Sequence, residues 1–204
     1  MELMMKNDIE IRIAGFGGQG IILSGYIIGK AAAIYDNKFS TLIQSFGPEA
    51  RGSSCSAQLI ISDSQILYPY LVQPQISILL SRDAHEKFYN ELKPGGIMLV
   101  EKDLVTPKEI PKGVKMYGIP ATRLAEEMGR KIVMNIITVG FFSAVTAVTS
   151  FEATKKAVET SVPPGTEEMN LRAFQIGYDY GIKLLEEKGE GEKVKVKQET
   201  QKKS

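Results

Sequence analysis

The chain of 204 residues contains one cysteine, Cys55, and one histidine, His85. One cysteine cannot form an intrachain disulfide, and a structural zinc site of Cys and His ligands cannot be assembled from one of each. An iron–sulfur cluster, held as a rule by four thiolates, cannot be housed by this chain alone. Any such group has to sit on another subunit. Long apolar runs are missing too. The most apolar stretch, residues 132–148, is broken by Asn135, Thr138, Gly140, Ser143 and Thr146, short of the ~18 unbroken apolar residues of a membrane span. The first eight residues are too polar for the apolar region of a signal peptide and show no small-residue cleavage pattern. The expectation is a cytoplasmic protein without a membrane partner.

An excess of charge of either sign is also absent. Lys and Arg number 25 against 24 Asp and Glu, so total charge gives no reason to expect nucleic acid as a partner. The near balance hides an asymmetry. Residues 188–204 carry six Lys and three Glu, a net +3, which leaves −2 for residues 1–187 out of a total of +1. That last stretch has only Val194 and Val196 as apolar side chains. It is expected to be a disordered, Lys-rich tail, because it cannot bury enough surface to offset its ordering entropy. Residues 1–187, 43% hydrophobic over the whole chain, suit one globular domain.

Residues 9–14, Ile-Glu-Ile-Arg-Ile-Ala, alternate like a strand and run directly into Gly15-Phe-Gly-Gly-Gln-Gly20. A buried helix over 21–35 follows, with Gly25 and Gly29 four apart. A second strand is expected at 39–44, then a loop rich in turn residues over 45–54. Two further runs, 56–62 and 65–70, are separated by Asp63-Ser64 and predict an inserted β-hairpin. A strand at 75–80, a helix at 83–92, strands at 97–101 and 114–117, and a helix opened by Pro120 complete an alternating pattern. That alternation favours a largely parallel sheet with helices on its faces. From 132 onward only helices are expected, over 132–149, 151–159 and 167–188, the last capped by Thr166.

The glycines at 15, 17 and 20 have the spacing of a dinucleotide-binding turn between strand and helix, where freed N–H groups and a helix N-terminus attract phosphate. A free-NAD reading also needs an acid at the end of the second strand, and Gln44 and Ser45 stand there, with Asp36 before the strand and Glu49 beyond a Gly-Pro turn. Free NAD is therefore disfavoured. A purely structural reading, in which the glycines allow close strand–helix packing, stays open. A P-loop fails, because Ala31 follows Lys30 where a magnesium-binding hydroxyl would be required.

Several separately spaced motifs point further. Gly15-Phe-Gly-Gly-Gln-Gly20, Ser45-Phe-Gly-Pro-Glu-Ala-Arg-Gly52, Ile119-Pro-Ala-Thr122, Asn135 and Asn170-x-x-Ala173-Phe174-x-x-Gly177 together resemble the gamma subunit of 2-oxoacid:ferredoxin oxidoreductases. The resemblance runs from about residue 8 to 185. It implies a three-layer α/β fold with a mostly parallel Rossmann-like sheet, an inserted hairpin and helices on both faces. It also implies a cytoplasmic heterotetramer with alpha, beta and ferredoxin-like delta subunits, and ferredoxin as electron acceptor. Thiamine diphosphate, magnesium and iron–sulfur clusters then sit on partner subunits, and CoA is a co-substrate. The residues agree independently, since no Gly-Asp-Gly with a downstream Asn-Asn is present to hold magnesium diphosphate. The wording of residues 47–56 is most similar to the 2-oxoglutarate type, with pyruvate, branched-chain 2-oxoacid and indolepyruvate enzymes as alternatives. An independent nucleotide-binding protein and a pure assembly subunit are the readings from other classes.

No catalytic residue or metal ligand is assigned to the chain. The candidate cofactor-binding residues are Gly15, Gly17, Gly18, Gln19 and Gly20 of the first loop and Phe46, Gly47, Glu49 and Arg51 of the second. The two loops are expected side by side at the carboxyl ends of the first two strands, holding CoA phosphates or pantetheine. Arg51 either grips phosphate or carboxylate or pairs with Glu49. Cys55 is expected in the core, His85 on a solvated helix face, and Tyr117, Pro120, Thr122 and Asn135 around a cleft of unassigned chemistry.

Overall fold

The computed structural model describes residues 8–46, 54–106 and 110–190. Its sheet has the order β2-β3-β1-β4-β5-β6, built from β1 Ile9–Phe16, β2 Phe39–Phe46, β3 Ser54–Ser62, β4 Ile76–Leu79, β5 Ile97–Glu101 and β6 Lys115–Ile119. β1, β4, β5 and β6 pair in parallel, whereas β3 runs antiparallel to both β1 and β2. β2 therefore points the same way as β1, and only β3 is reversed. Among the described residues there are six α-helices: α1 Ile21–Lys30, α2 Arg82–Phe88, α3 Ala121–Glu127, α4 Met134–Thr146, α5 Phe151–Glu159 and α6 Glu167–Glu187. The helix after β1 continues through residues 31–35 as a π-helical turn.

Alternation along the strands sorts the side chains into two cores. Ile11, Ile13, Leu59, Ile61, Ile78 and Leu99 face α1, α3, α4, α5 and α6. Ala14, Leu79, Met98 and Val100 face a smaller cluster with Ala84 and Phe88 of α2. Helices thus cover both faces, and the three-layer expectation holds. β4 is buried along its length, Ser77 included, as a central parallel strand covered on both faces is. Every residue of α4 is buried and none is charged, the pattern of a helix that needs cover all round. α6 supplies the outer cover at very short range. A Cβ at Gly140 would collide with the Phe174 carbonyl oxygen, and one at Gly177 with that of Ile137. The spacing of Ala173, Phe174 and Gly177 is thus a helix-packing device.

Three sequence expectations need correction. The inserted antiparallel pair exists, but it is β2 with β3, in register from Phe39↔Ser62 to Phe46↔Cys55. Residues 65–70 form no strand. Instead, the segment is strapped across the sheet face opposite α1, where Leu71 N donates to Gln58 Oε1 at 3.2 Å and Val72 and Gln73 N donate to Glu10 Oε2 at 2.8 Å each. Thr166 does not cap α6 with its side chain. Its hydroxyl donates to Pro163 O at 2.7 Å and accepts from Asn170 Nδ2 at 3.1 Å. Finally, described structure continues past 187: Lys188 Nζ donates to Met116 O at 3.2 Å and Glu190 pairs with Lys115 at 2.8 Å. Residues 191–204, the rest of the expected tail, lie outside the described residues.

Candidate functional site: the carboxyl edge of the sheet

α1 leaves β1 on one face of the sheet and α2 leaves β4 on the other, so the boundary between β1 and β4 is the topological switch point where open α/β sheets gather ligands. The glycine loop lies at this boundary, and its conformation follows from its residues. Gly18 has φ +100° and Gly20 φ +69°, values that L side chains rarely adopt. Gln19 closes the turn: its Oε1 accepts from Phe16 N at 2.7 Å, and its Nε2 donates to Leu80 O at 2.9 Å. A Cβ at Gly15 would collide with that Oε1. Gln19 is thus a clasp joining the end of β1 to the end of β4. Gly20 opens α1 with no side-chain cap and no acidic residue in the first turn, so the positive end of the helix dipole stays uncompensated by side chains. Asn135, in the first turn of α4, seats against Gly20, where a Cβ would lie 2.6 Å from its Cγ. This explains why Asn135 belongs with the glycine motif.

The second loop is only partly placed. Gly47, Glu49 and Arg51 lie outside the described residues. Phe46 ends β2, is 68% exposed, and stands at the same edge as the glycine loop, since Phe46 pairs with Cys55 and Phe16 with Ser54. The loops do not issue from adjacent strands, however, because β3 separates β1 from β2. The same insertion removes the position of a ribose-binding acid next to β1. Asp36 is committed elsewhere, accepting from Ser150 N at 2.8 Å and Ser150 Oγ at 2.6 Å, and Lys30 donates to Thr160 O at 2.9 Å.

Further along the edge, the structure reveals a residue that sequence reasoning missed. Glu101, fully buried at the end of β5, accepts from Thr122 N at 2.8 Å, Thr122 Oγ1 at 3.1 Å and Asp103 N at 3.1 Å. Its carboxylate therefore organises the start of α3 and accounts for the Thr of Ile119-Pro-Ala-Thr122. Pro120 is the residue just before that helix. Tyr117 lies elsewhere, buried on β6 with its hydroxyl donated to Glu190. Tyr117, Thr122 and Asn135 are each held against a different residue, Glu190, Glu101 and Gly20.

Cys55 is in the core as expected, and burial pushes its thiol up. His85 differs from expectation, being only 7% exposed and stacked on Tyr89 with ring centroids 5.3 Å apart. Burial holds its pKa below the ordinary histidine value, with Glu86 pulling the other way. With Arg82, Glu86, Tyr89, Leu104, Val105 and Thr106 it lines a cavity of about 620 Å³ on the α2 side. Among the described residues, no three His, Cys, Asp or Glu side chains converge as a metal site, and no helix is long and apolar enough to cross a membrane.

Known proteins are similar along nearly the whole chain. The family model for pyruvate ferredoxin/flavodoxin oxidoreductase matches residues 10–180. The chain is 48% identical over 182 residues to 2-oxoglutarate synthase subunit KorC of Methanocaldococcus jannaschii, covering 88% of this chain and 97% of that protein. The crystal structure of the keto/oxoacid ferredoxin oxidoreductase gamma subunit of Geobacter sulfurreducens superposes with a TM-score of 0.75 at 40% identity, over 85% of this chain and 98% of that one. The 2-oxoglutarate:ferredoxin oxidoreductase of Magnetococcus marinus, with 2-oxoglutarate, coenzyme A and succinyl-CoA bound, gives a TM-score of 0.78 at 27% identity. There 85% of this chain corresponds to 31% of a longer one. With the glycine turn, the reversed β3 and the α4–α6 packing all in place, the chain belongs to the pyruvate ferredoxin/flavodoxin oxidoreductase family.

Proposed function

We infer that the chain is the gamma subunit of a 2-oxoglutarate:ferredoxin oxidoreductase, which converts 2-oxoglutarate, CoA and oxidised ferredoxin to succinyl-CoA, CO2 and reduced ferredoxin. The observation that carries this reading is the near end-to-end similarity to a 2-oxoglutarate synthase subunit. The residues support a division of labour within such a complex. One buried thiol cannot hold a cluster, so the iron–sulfur clusters, like thiamine diphosphate and its magnesium, belong to the alpha, beta and delta chains. Those groups supply decarboxylation and electron transfer. This chain contributes assembly and a rim for CoA.

The uncapped start of α1 and the backbone of the glycine loop favour an anion such as a CoA phosphate. Arg51 adds a permanent cation from the second loop, and Phe46 an exposed apolar surface for pantetheine. Gln19 holds the rim in shape. In the assembled complex, Arg51→Ala is expected to raise the KM for CoA about tenfold, as befits loss of one charge-assisted contact, with kcat nearly unchanged. An unchanged KM with normal assembly would exclude the rim role. Activity with 2-oxoglutarate, pyruvate and branched-chain 2-oxoacids, followed with a viologen dye, separates the substrate types.

A further inference from the structure

We propose that the outer edge of β2 is a docking strand, which extends the sheet with an uncharged β-strand from another chain of the oxidoreductase complex. The proposal rests on the subunit reading above. Its starting point is hydrogen-bond direction. Gln75 N donates to Glu10 O and Leu80 N to Ala14 O, so the even-numbered residues of β1 bond toward β4 and Ile9, Ile11 and Ile13 bond toward β3. Carried through the two antiparallel registers, this alternation turns Thr41, Ile43 and Ser45 of β2 inward to β3. The N–H and C=O groups of Ser40, Leu42 and Gln44 then face outward, with no neighbouring strand among the described residues.

Such an edge invites pairing, and proteins blunt it with Lys, Pro, bulges or short strands. β2 has none of these. Its eight residues, Phe-Ser-Thr-Leu-Ile-Gln-Ser-Phe, contain no charge and no proline, and they pair with β3 without a bulge. From Ser54 to Ser81 Asp63 is the one charged residue, and Lys38, just before β2, donates its Nζ to Val148 O at 3.4 Å. Phe39 and Phe46 are exposed at the two ends of β2. The strap on the adjacent sheet face exposes Leu67 (77%), Tyr68, Tyr70 and Val72 (81%). An edge and flank without charge select a strand without charge, since an ionic partner would lose its hydration unpaired. A different chain fits this better than a second copy. In the Magnetococcus enzyme the corresponding region is 31% of a longer polypeptide, so there the fold is covalently joined to further sequence.

The test compares the free chain with the assembled complex by hydrogen exchange. The amides of Leu42 and Gln44 are expected to slow about 100-fold or more on assembly, while that of Ile43, already in the ladder, is protected in both states. Gln44→Pro removes one outward N–H and leaves the β3 ladder whole, a tolerated edge position. It is expected to weaken assembly about 30-fold with the melting temperature of the free chain unchanged within about 2 °C. Unchanged exchange at Leu42 and Gln44 in an assembled complex overturns the proposal whether or not the proline variant folds. So does a homodimer of the free chain that Gln44→Pro abolishes, which assigns the edge to a second copy. If the wild-type chain does not assemble with thiamine-dependent and iron–sulfur chains at all, the subunit reading itself has failed.

Discussion

The two outer strands of the sheet are finished in opposite ways. At β6, Lys115 N donates to Gly96 O, so Met116 faces outward, and its carbonyl accepts from Lys188 Nζ at 3.2 Å. The same lysine lies 4.6 Å from the centre of the Tyr117 ring, and Glu190 receives both the Tyr117 hydroxyl and Lys115. The edge is short, charged and clamped by the end of α6. At β2 the edge is long, uncharged and, among the described residues, bare. Among the described residues the fold guards one edge only, and the other is the edge proposed above to pair with another chain.

The contrast can be broken most severely at its foundation. Gly177→Ala would drive a methyl group into the Ile137 carbonyl, push α6 off α4 and withdraw the β6 guard. The expected loss is about 3 kcal/mol or more, or about 10 °C in melting temperature by calorimetry. Next in size is Glu190→Ala, which leaves the buried Tyr117 hydroxyl without its acceptor at a cost of about 1–3 kcal/mol in chemical denaturation. A loss below ~0.5 kcal/mol would mean that the clamp is idle.

The same clamp predicts a pH dependence. Burial, then the hydrogen bond and charge of Glu190, raise the Tyr117 phenol well above its ordinary value of 10.0. A raised folded-state pKa stabilises the fold below pH 10, and this contribution fades as pH rises past 10 while the unfolded chain ionises. Wild type should lose about 1 kcal/mol more than Tyr117→Phe between pH 9 and 11. Equal losses would rule the coupling out. The smallest effect belongs to β2. Gln44→Lys, which gives this edge the guard that β6 has, should change the stability of the free chain by less than ~0.5 kcal/mol. A larger loss would show that Gln44 serves the isolated fold.

Sequence legibility followed the range of the interactions. β1, the glycine turn and α1 are local features, readable from alternation and from glycine spacing. Residues 65–70 looked like a strand because Ile66, Leu67, Tyr68 and Tyr70 are apolar or aromatic, yet Pro69 and Pro74 deprive the segment of ladder donors. The true partner of β3 was β2, hidden because seven residues, 47–53, separate them in sequence and no two-residue turn signal marks the hairpin. His85 sits in sequence among Asp83, Glu86 and Lys87 and reads as solvated, but Tyr89, four residues on, stacks with it on the same side of the helix. Glu101 and Glu190 gave no signal, since Thr122 and Tyr117, which they hold, are 21 and 73 residues away. At the candidate site, the uncapped helix start was foreseeable. The clasp role of Gln19 was not, because it depends on where β4 ends.

The burial of α4 has a consequence for biosynthesis. This helix, uncharged and buried around its whole circumference, leaves the ribosome well before the helix that covers it. The chain must grow from Thr146 to Glu187 before the Gly140–Gly177 seam can close, roughly 2 to 8 seconds at ~5–20 residues per second. For that interval a sticky, uncharged segment stays unsheltered in the nascent chain. Exposed surface of this kind is aggregation-prone until it is sheltered.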